Sequence, residues 1–124
     1  MIKKFALGLF TFSVLLVPFA PASENLFQFQ APDIDGEKLS LRQFEGQVVL
    51  VVNTASKCGY TYQYEGLENL QQKYGPMGLT ICGFPSNDFL FQEPGCDEEI
   101  HQFAKTRFNI SFPMYSKISV WGRN

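Results

Sequence analysis

Cys58, Cys82 and Cys96 are the only sulfur nucleophiles in this 124-residue chain, and their settings differ. Cys58 lies in Ser56-Lys57-Cys58-Gly59-Tyr60-Thr61, between a branched apolar run and a helical pattern. A strand that hands over to a helix puts this residue outside the carboxyl end of a sheet, where open α/β folds bind ligands. Backbone N–H groups and the positive end of a helix dipole favour a thiolate at such a place, and Lys57 adds a positive charge. A buried structural cysteine is the alternative, but Gly59 and the polar flanks argue against an apolar pocket. Cys82 alternates within a second apolar run and reads as core. Cys96 precedes a second helical pattern four residues after Gln92, which suits either a resolving thiol or an incidental surface cysteine. An odd count leaves at least one thiol unpaired within the chain. The wide spacing lacks the tight Cys-x-x-Cys knuckle of structural zinc, so no metal or cofactor is expected.

A reactive cysteine is only part of a redox site. With an ordinary pKa near 8.5, about 3% of a thiol is ionised at pH 7. Lowering that pKa to about 5 raises the thiolate fraction roughly thirtyfold. It also costs about fortyfold in nucleophilicity if the thiol-exchange slope applies. The two effects nearly cancel, so fast chemistry requires donors that stabilise a departing atom. Gln92, in a loop beyond the second apolar run, is a candidate donor; taken alone, a loop glutamine is as readily a solvated one.

The surrounding pattern supplies the scaffold. Phe27 to Ala31 alternates apolar and polar residues, Asp35-Gly36 marks a turn, and Leu39 and Leu41 resume the alternation, which predicts a β-hairpin. Gln47 to Thr54 contains Val48-Val49-Leu50-Val51-Val52, the composition of a strand covered on both faces. Tyr64, Leu67, Leu70 and Tyr74 recur at helical steps until Gly75-Pro76, with Thr61 as the expected N-cap. Leu79 to Phe84 is a second central strand, and Pro85 to Gly95 a loop. A helix from Asp97 to Phe108 carries acids in its first turn and Lys105 and Arg107 in its last, matching the helix dipole. Phe112 to Val120 is strand-like, and Trp121 to Asn124 ends in a turn. Strands alternating with helices imply an α/β fold with a mostly parallel sheet.

Residues 1–22 have the layout of a secretory signal peptide: Lys3 and Lys4, an apolar stretch from Phe5 to Phe19, then Ala20-Pro21-Ala22. A buried helix or an uncleaved anchor is the alternative. Cleavage before Ser23 would leave one domain, residues 23–124, secreted or periplasmic and without stable membrane insertion. Loss of two lysines takes the net charge from −2 to −4. Scattered, outnumbered basic residues do not suit a nucleic-acid surface.

Several segments together resemble the glutathione peroxidase family. They are Val51 to Leu67 around Cys58, Gly83-Phe84-Pro85-Ser86-Asn87-Asp88-Phe89 with Gln92-Glu93-Pro94-Gly95, and Phe112-Pro113-Met114. The likeness runs in order through nearly all of residues 27–120. It implies a thioredoxin-like fold with an N-terminal β-hairpin. It also implies a peroxidase in which Cys58 attacks peroxide and becomes a sulfenic acid, with Gln92 as one of its assisting residues. Glutathione or a thioredoxin-like protein would be the reductant, and protection against oxidative stress the role.

The chain departs from the family pattern in several places. Its Trp-Asn-Phe segment is not found, and Trp121 stands in a different context. The C-terminal strands and helix of the fold are expected to be missing, which would leave the strand at Leu79 to Phe84 with an open edge. Ser86 and Lys105 occupy positions where the family often has cysteine, so Cys96 is the candidate replacement resolving thiol. A thioredoxin-like disulfide reductase is disfavoured, because Thr61 stands where its second cysteine belongs. The remaining alternative is a truncated, weakly active or inactive relic that keeps the fold as a binding or vestigial protein.

Overall fold

The computed structural model describes residues 25–121; the expected signal peptide, residues 1–22, lies outside the described residues. The described chain opens with a 3-10 turn, Leu26–Gln28, whose first free N–H, from Phe27, is taken by Asn25 Oδ1. Strand β1 (Gln30–Pro32) then pairs antiparallel with β2 (Lys38–Ser40). The expected hairpin is present, but its first strand starts later than Phe27 because the Asn25 cap favours the 3-10 turn. Asp33 Oδ1 accepts the N–H groups of Asp35 and Glu37, and Gly36 takes φ +90°, a conformation that suits a residue without Cβ. A second 3-10 turn, Leu41–Phe44, buries Leu41 and Phe44.

Strand β3 (Val48–Thr54), helix α1 (Gln63–Tyr74) and strand β4 (Leu79–Pro85) follow, joined before β4 by a 3-10 turn at Gly75–Met77. β3 and β4 are parallel, in register from Val48 opposite Leu79 to Thr54 opposite Pro85. Helix α2 (Asp97–Phe108) matches its expected span and ends at Asn109, which takes the left-handed conformation. Two apolar clusters meet at the sheet. Tyr64, Ile81, Ile100, Ala104 and Phe112 pack together on the helical side. Leu41, Phe44, Cys82, Phe84 and Tyr115 pack with residues of the hairpin.

Three expectations need correction. β3 is not covered on both faces: Val48 is 70% and Val51 48% exposed. Among the described residues, β3 pairs with β4 alone. The open edge is therefore not on β4, whose residues Thr80 to Pro85 are all buried. β4 gains a second neighbour from Pro113 to Ile118: Gly83 N–H donates to Pro113 O, and Tyr115 and Ile118 donate to Gly83 O and Pro85 O, each at 2.9 Å. Finally, Phe112 to Val120 is not a regular strand but a strap with isolated bridges. It divides its bonds between β4 and the hairpin, with Ile34 N–H to Met114 O and Ser116 N–H to Pro32 O, and Pro113 has no N–H to give.

Candidate active site

Cys58 lies in the turn that connects β3 to α1, and Thr61 shapes that turn. The Thr61 hydroxyl accepts the Cys58 N–H at 3.0 Å and lies 2.8 Å from Cys58 O and 2.9 Å from Ala55 O, either of which can take its single proton. Thr61 is thus not the N-cap of α1; Tyr62 holds that position, without a side-chain cap. The cysteine consequently stands several residues upstream of the first helical residue. The backbone donor that reaches its sulfur is the Tyr60 N–H, at 3.4 Å. Cys58 is half-buried, its thiol free.

Gln92 reaches the same end of the sheet along a different route. After β4 the chain turns back through Leu90 and Phe91, at φ 54° and 56°. Side chains with a Cβ rarely adopt this left-handed region, which costs of order 1–3 kcal/mol per residue. Both side chains are exposed, at 84% and 82%. The reversal lets the Gln92 N–H close onto Phe89 O at 3.2 Å, and Gln92 O then accepts the Lys57 N–H at 2.9 Å. Cys58 and Gln92 line one cavity of about 210 Å³, together with Asn53, Tyr60, Tyr64 and Phe89. Strain stored beside a candidate site is a common way to hold a residue in a required position.

The other two cysteines lie elsewhere. Cys82 is fully buried in β4, and burial pushes its thiol up to about 11, with partial relief from the Tyr115 hydroxyl. Cys96 is exposed at the N-cap of α2, its N–H held by Glu99 Oε2 at 3.0 Å, and it is not among the residues that line the Cys58 cavity.

The sequence reading overlooked one carboxyl group. Glu93 is 1% exposed, and its Oε2 accepts the Ser56 hydroxyl at 3.0 Å. Burial raises its pKa, against hydrogen bonds from Ser56 and the charges of Lys117 and Lys57. A second cavity, about 680 Å³, opens between Ser56-Lys57 and α2; Glu93, Phe103 and Arg107 also line it. Only the spatial approach of two loops reveals this group, since a glutamate in a polar loop ordinarily faces water.

Known proteins resemble this chain in sequence and fold. The hydroperoxy fatty acid reductase of Synechocystis is 47% identical over 105 residues, covering 85% of this chain and 62% of that protein. The thioredoxin/glutathione peroxidase BtuE of Escherichia coli is 54% identical over 90 residues, covering 73% of this chain and 49% of its own length. The chain thus spans about half to three-fifths of these relatives. The crystal structure of T. cruzi GPX1 superposes with a TM-score of 0.60 at 36% identity, over 82% of this chain and 60% of that one. A thioredoxin-like protein from Aeropyrum pernix, at 23% identity and TM-score 0.57, covers 71% of this chain and 61% of its own and shares the fold. Residues 26–124 match the glutathione peroxidase family, a span that contains both loops of the Cys58 cavity. With its thioredoxin-like architecture, the chain belongs to the glutathione peroxidase family.

Proposed function

We propose that the protein is a thiol-dependent peroxidase in which Cys58 is the nucleophile and Gln92 a donor. The observation that carries this reading is the cavity that Cys58 and Gln92 share at the carboxyl ends of two parallel strands. The Cys58 thiolate attacks the terminal oxygen of a hydroperoxide; the S–O bond forms as the O–O bond breaks. Sulfur is oxidised by two electrons, and the peroxide leaves as an alkoxide or hydroxide that takes a proton from water. The Gln92 amide stabilises that leaving oxygen by hydrogen bonding, the kind of donor whose loss commonly costs about 10²–10³ in rate. A reductant thiol then attacks the sulfenic sulfur, releasing water and forming a mixed disulfide, and a second thiol restores Cys58.

The names of the relatives support hydrogen peroxide or organic hydroperoxides, fatty-acyl ones included, as oxidants, and glutathione or a thioredoxin-like protein as reductant. Cys96 serves as a resolving thiol in this reading if its helix end moves toward the cavity. The basic and apolar pattern of residues 1–22 supports export and a role in oxidative defence outside the cytoplasm. Peroxide-dependent oxidation of glutathione and of reduced thioredoxin by the purified chain, with Cys58→Ser as control, tests the activity. Turnover that survives Cys58→Ser would reject it.

A further inference from the structure

The two loops of the Cys58 cavity are fastened to each other on the side away from the cavity. Lys57 N–H donates to Gln92 O at 2.9 Å, and the neighbouring pair, one residue earlier on the first loop and one later on the second, is tied by the Ser56 hydroxyl donating to Glu93 Oε2 at 3.0 Å. Glu93 is itself fixed: its N–H donates to Asn87 Oδ1 at 2.9 Å, and Lys117 Nζ binds Gly95 O at 2.6 Å just beyond it. Its second oxygen, Oε1, is buried and has no hydrogen-bond partner. Burial of a carboxyl group with one oxygen unsatisfied is costly. The fold keeps this group although Glu93 is not among the residues that line the Cys58 cavity.

We propose that Glu93 is a positioning residue for peroxide reduction: through Ser56 and Lys57 its carboxyl group holds Cys58 and Gln92 at a fixed separation. This inference rests on the peroxidase reading above. The nucleophile and the donor come from different loops, separated in sequence by helix α1 and strand β4. A shift of one loop by about an ångström can cost a hundredfold in a reaction that needs both groups together. Lys57 N–Gln92 O is a single backbone bond at the loop margin. The Ser56–Glu93 contact adds a side-chain acceptor that prevents the two segments from twisting about it.

The role separates two reactions of one sulfur atom. Alkylation of Cys58 by iodoacetamide needs a thiolate and access but no donor for an alkoxide or hydroxide. Oxidation by hydrogen peroxide needs the donor as well. Glu93→Ala and Ser56→Ala should each slow Cys58 oxidation by hydrogen peroxide about tenfold or more, while the rate of alkylation changes less than about twofold. The double variant should be no slower than the worse single one, since both changes break one contact. Glu93→Gln, whose amide oxygen can still accept from Ser56, should recover most of the rate. Quenched-flow labelling with mass spectrometry reads both reactions at Cys58 in the full chain. If peroxide oxidation and alkylation fall together, or neither falls, the positioning role is wrong; additive losses in the double variant also overturn it. If wild-type Cys58 meets peroxide no faster than free cysteine, the peroxidase reading fails and takes this inference with it. A normal wild-type rate with indifferent variants defeats the inference alone.

Discussion

Cys58 and Cys82 are separated by the physics of their surroundings more than by their chemistry. A half-buried thiol beside a backbone donor is open to small reagents, whereas the Cys82 thiol, pushed up to about 11 and fully buried, is neither ionised nor accessible near neutral pH. We expect a short iodoacetamide pulse at pH 8 to label Cys58 and the exposed Cys96 and to leave Cys82 unmodified until the protein is denatured; peptide mapping checks this. The buried phenols set a second expectation. Burial pushes Tyr64 up to about 12, with the Glu93 carboxylate adding to the rise and the Thr54 hydroxyl opposing it. The fold therefore favours the neutral phenol. That stability is fully present below pH 10 and is lost as the pH rises from 10 towards 12, a change of order 3 kcal/mol. Urea unfolding at pH 8, 10 and 11.5 should show the decline, and Tyr64→Phe should lessen it, with Tyr115, also raised by burial, contributing the rest.

Helix α1 is anchored at its middle by Glu68, which is nearly buried. Ser111 gives its N–H to Oε2 at 2.6 Å and its hydroxyl to Oε1 at 2.8 Å, and Gln72 adds a bond at 2.6 Å to Oε1. Burial pushes this carboxyl group up, but the bonds from Gln72 and Ser111 outweigh it and hold the pKa below its ordinary value. Glu68→Ala should destabilise the protein by about 2–3 kcal/mol at pH 7, measured by urea denaturation. The folded pKa is depressed, so the contribution is present above the ordinary glutamate range and lost as the pH falls through the folded value. The difference between variant and wild type should accordingly shrink in acid. This contact was not legible in the sequence, because Glu68 and Ser111 lie far apart along it. Helix α2 was legible in its span: acids at its start and bases at its end are local signals. The burial of β3 was not, since a run of branched residues records how apolar a strand is and not whether a neighbour exists on both sides. Thr61 misled for a related reason. Its hydroxyl suits a cap, but the Cys58 turn offers it three backbone partners that a helix start would not. Cys58 and Gln92 were identified as candidates by their motifs, and their common cavity came only with the fold.

Across the whole molecule, the exposed flank of β3 is the feature with the widest reach. Val48, Leu50 and Val51 offer apolar surface along a strand that, among the described residues, has one hydrogen-bonded neighbour. Such an edge templates pairing with other chains unless charge blunts it. Val51→Lys should reduce self-association at high protein concentration and leave circular dichroism unchanged; light scattering on both proteins checks this, and equal association would mean that another surface is responsible. The strap from Pro113 to Ile118 carries a different consequence, which concerns time. Ser116 gives its hydroxyl to Asp33 O across 83 positions of sequence, and its N–H to Pro32 O. These bonds cannot form until nearly the entire described chain has left the ribosome, and contacts so distant in sequence are slow to close. The β3–α1–β4 unit can assemble earlier from nearer contacts, but β4 then lacks its second neighbour. During synthesis both edges of the sheet are unguarded, and the strap decides when one of them ceases to be.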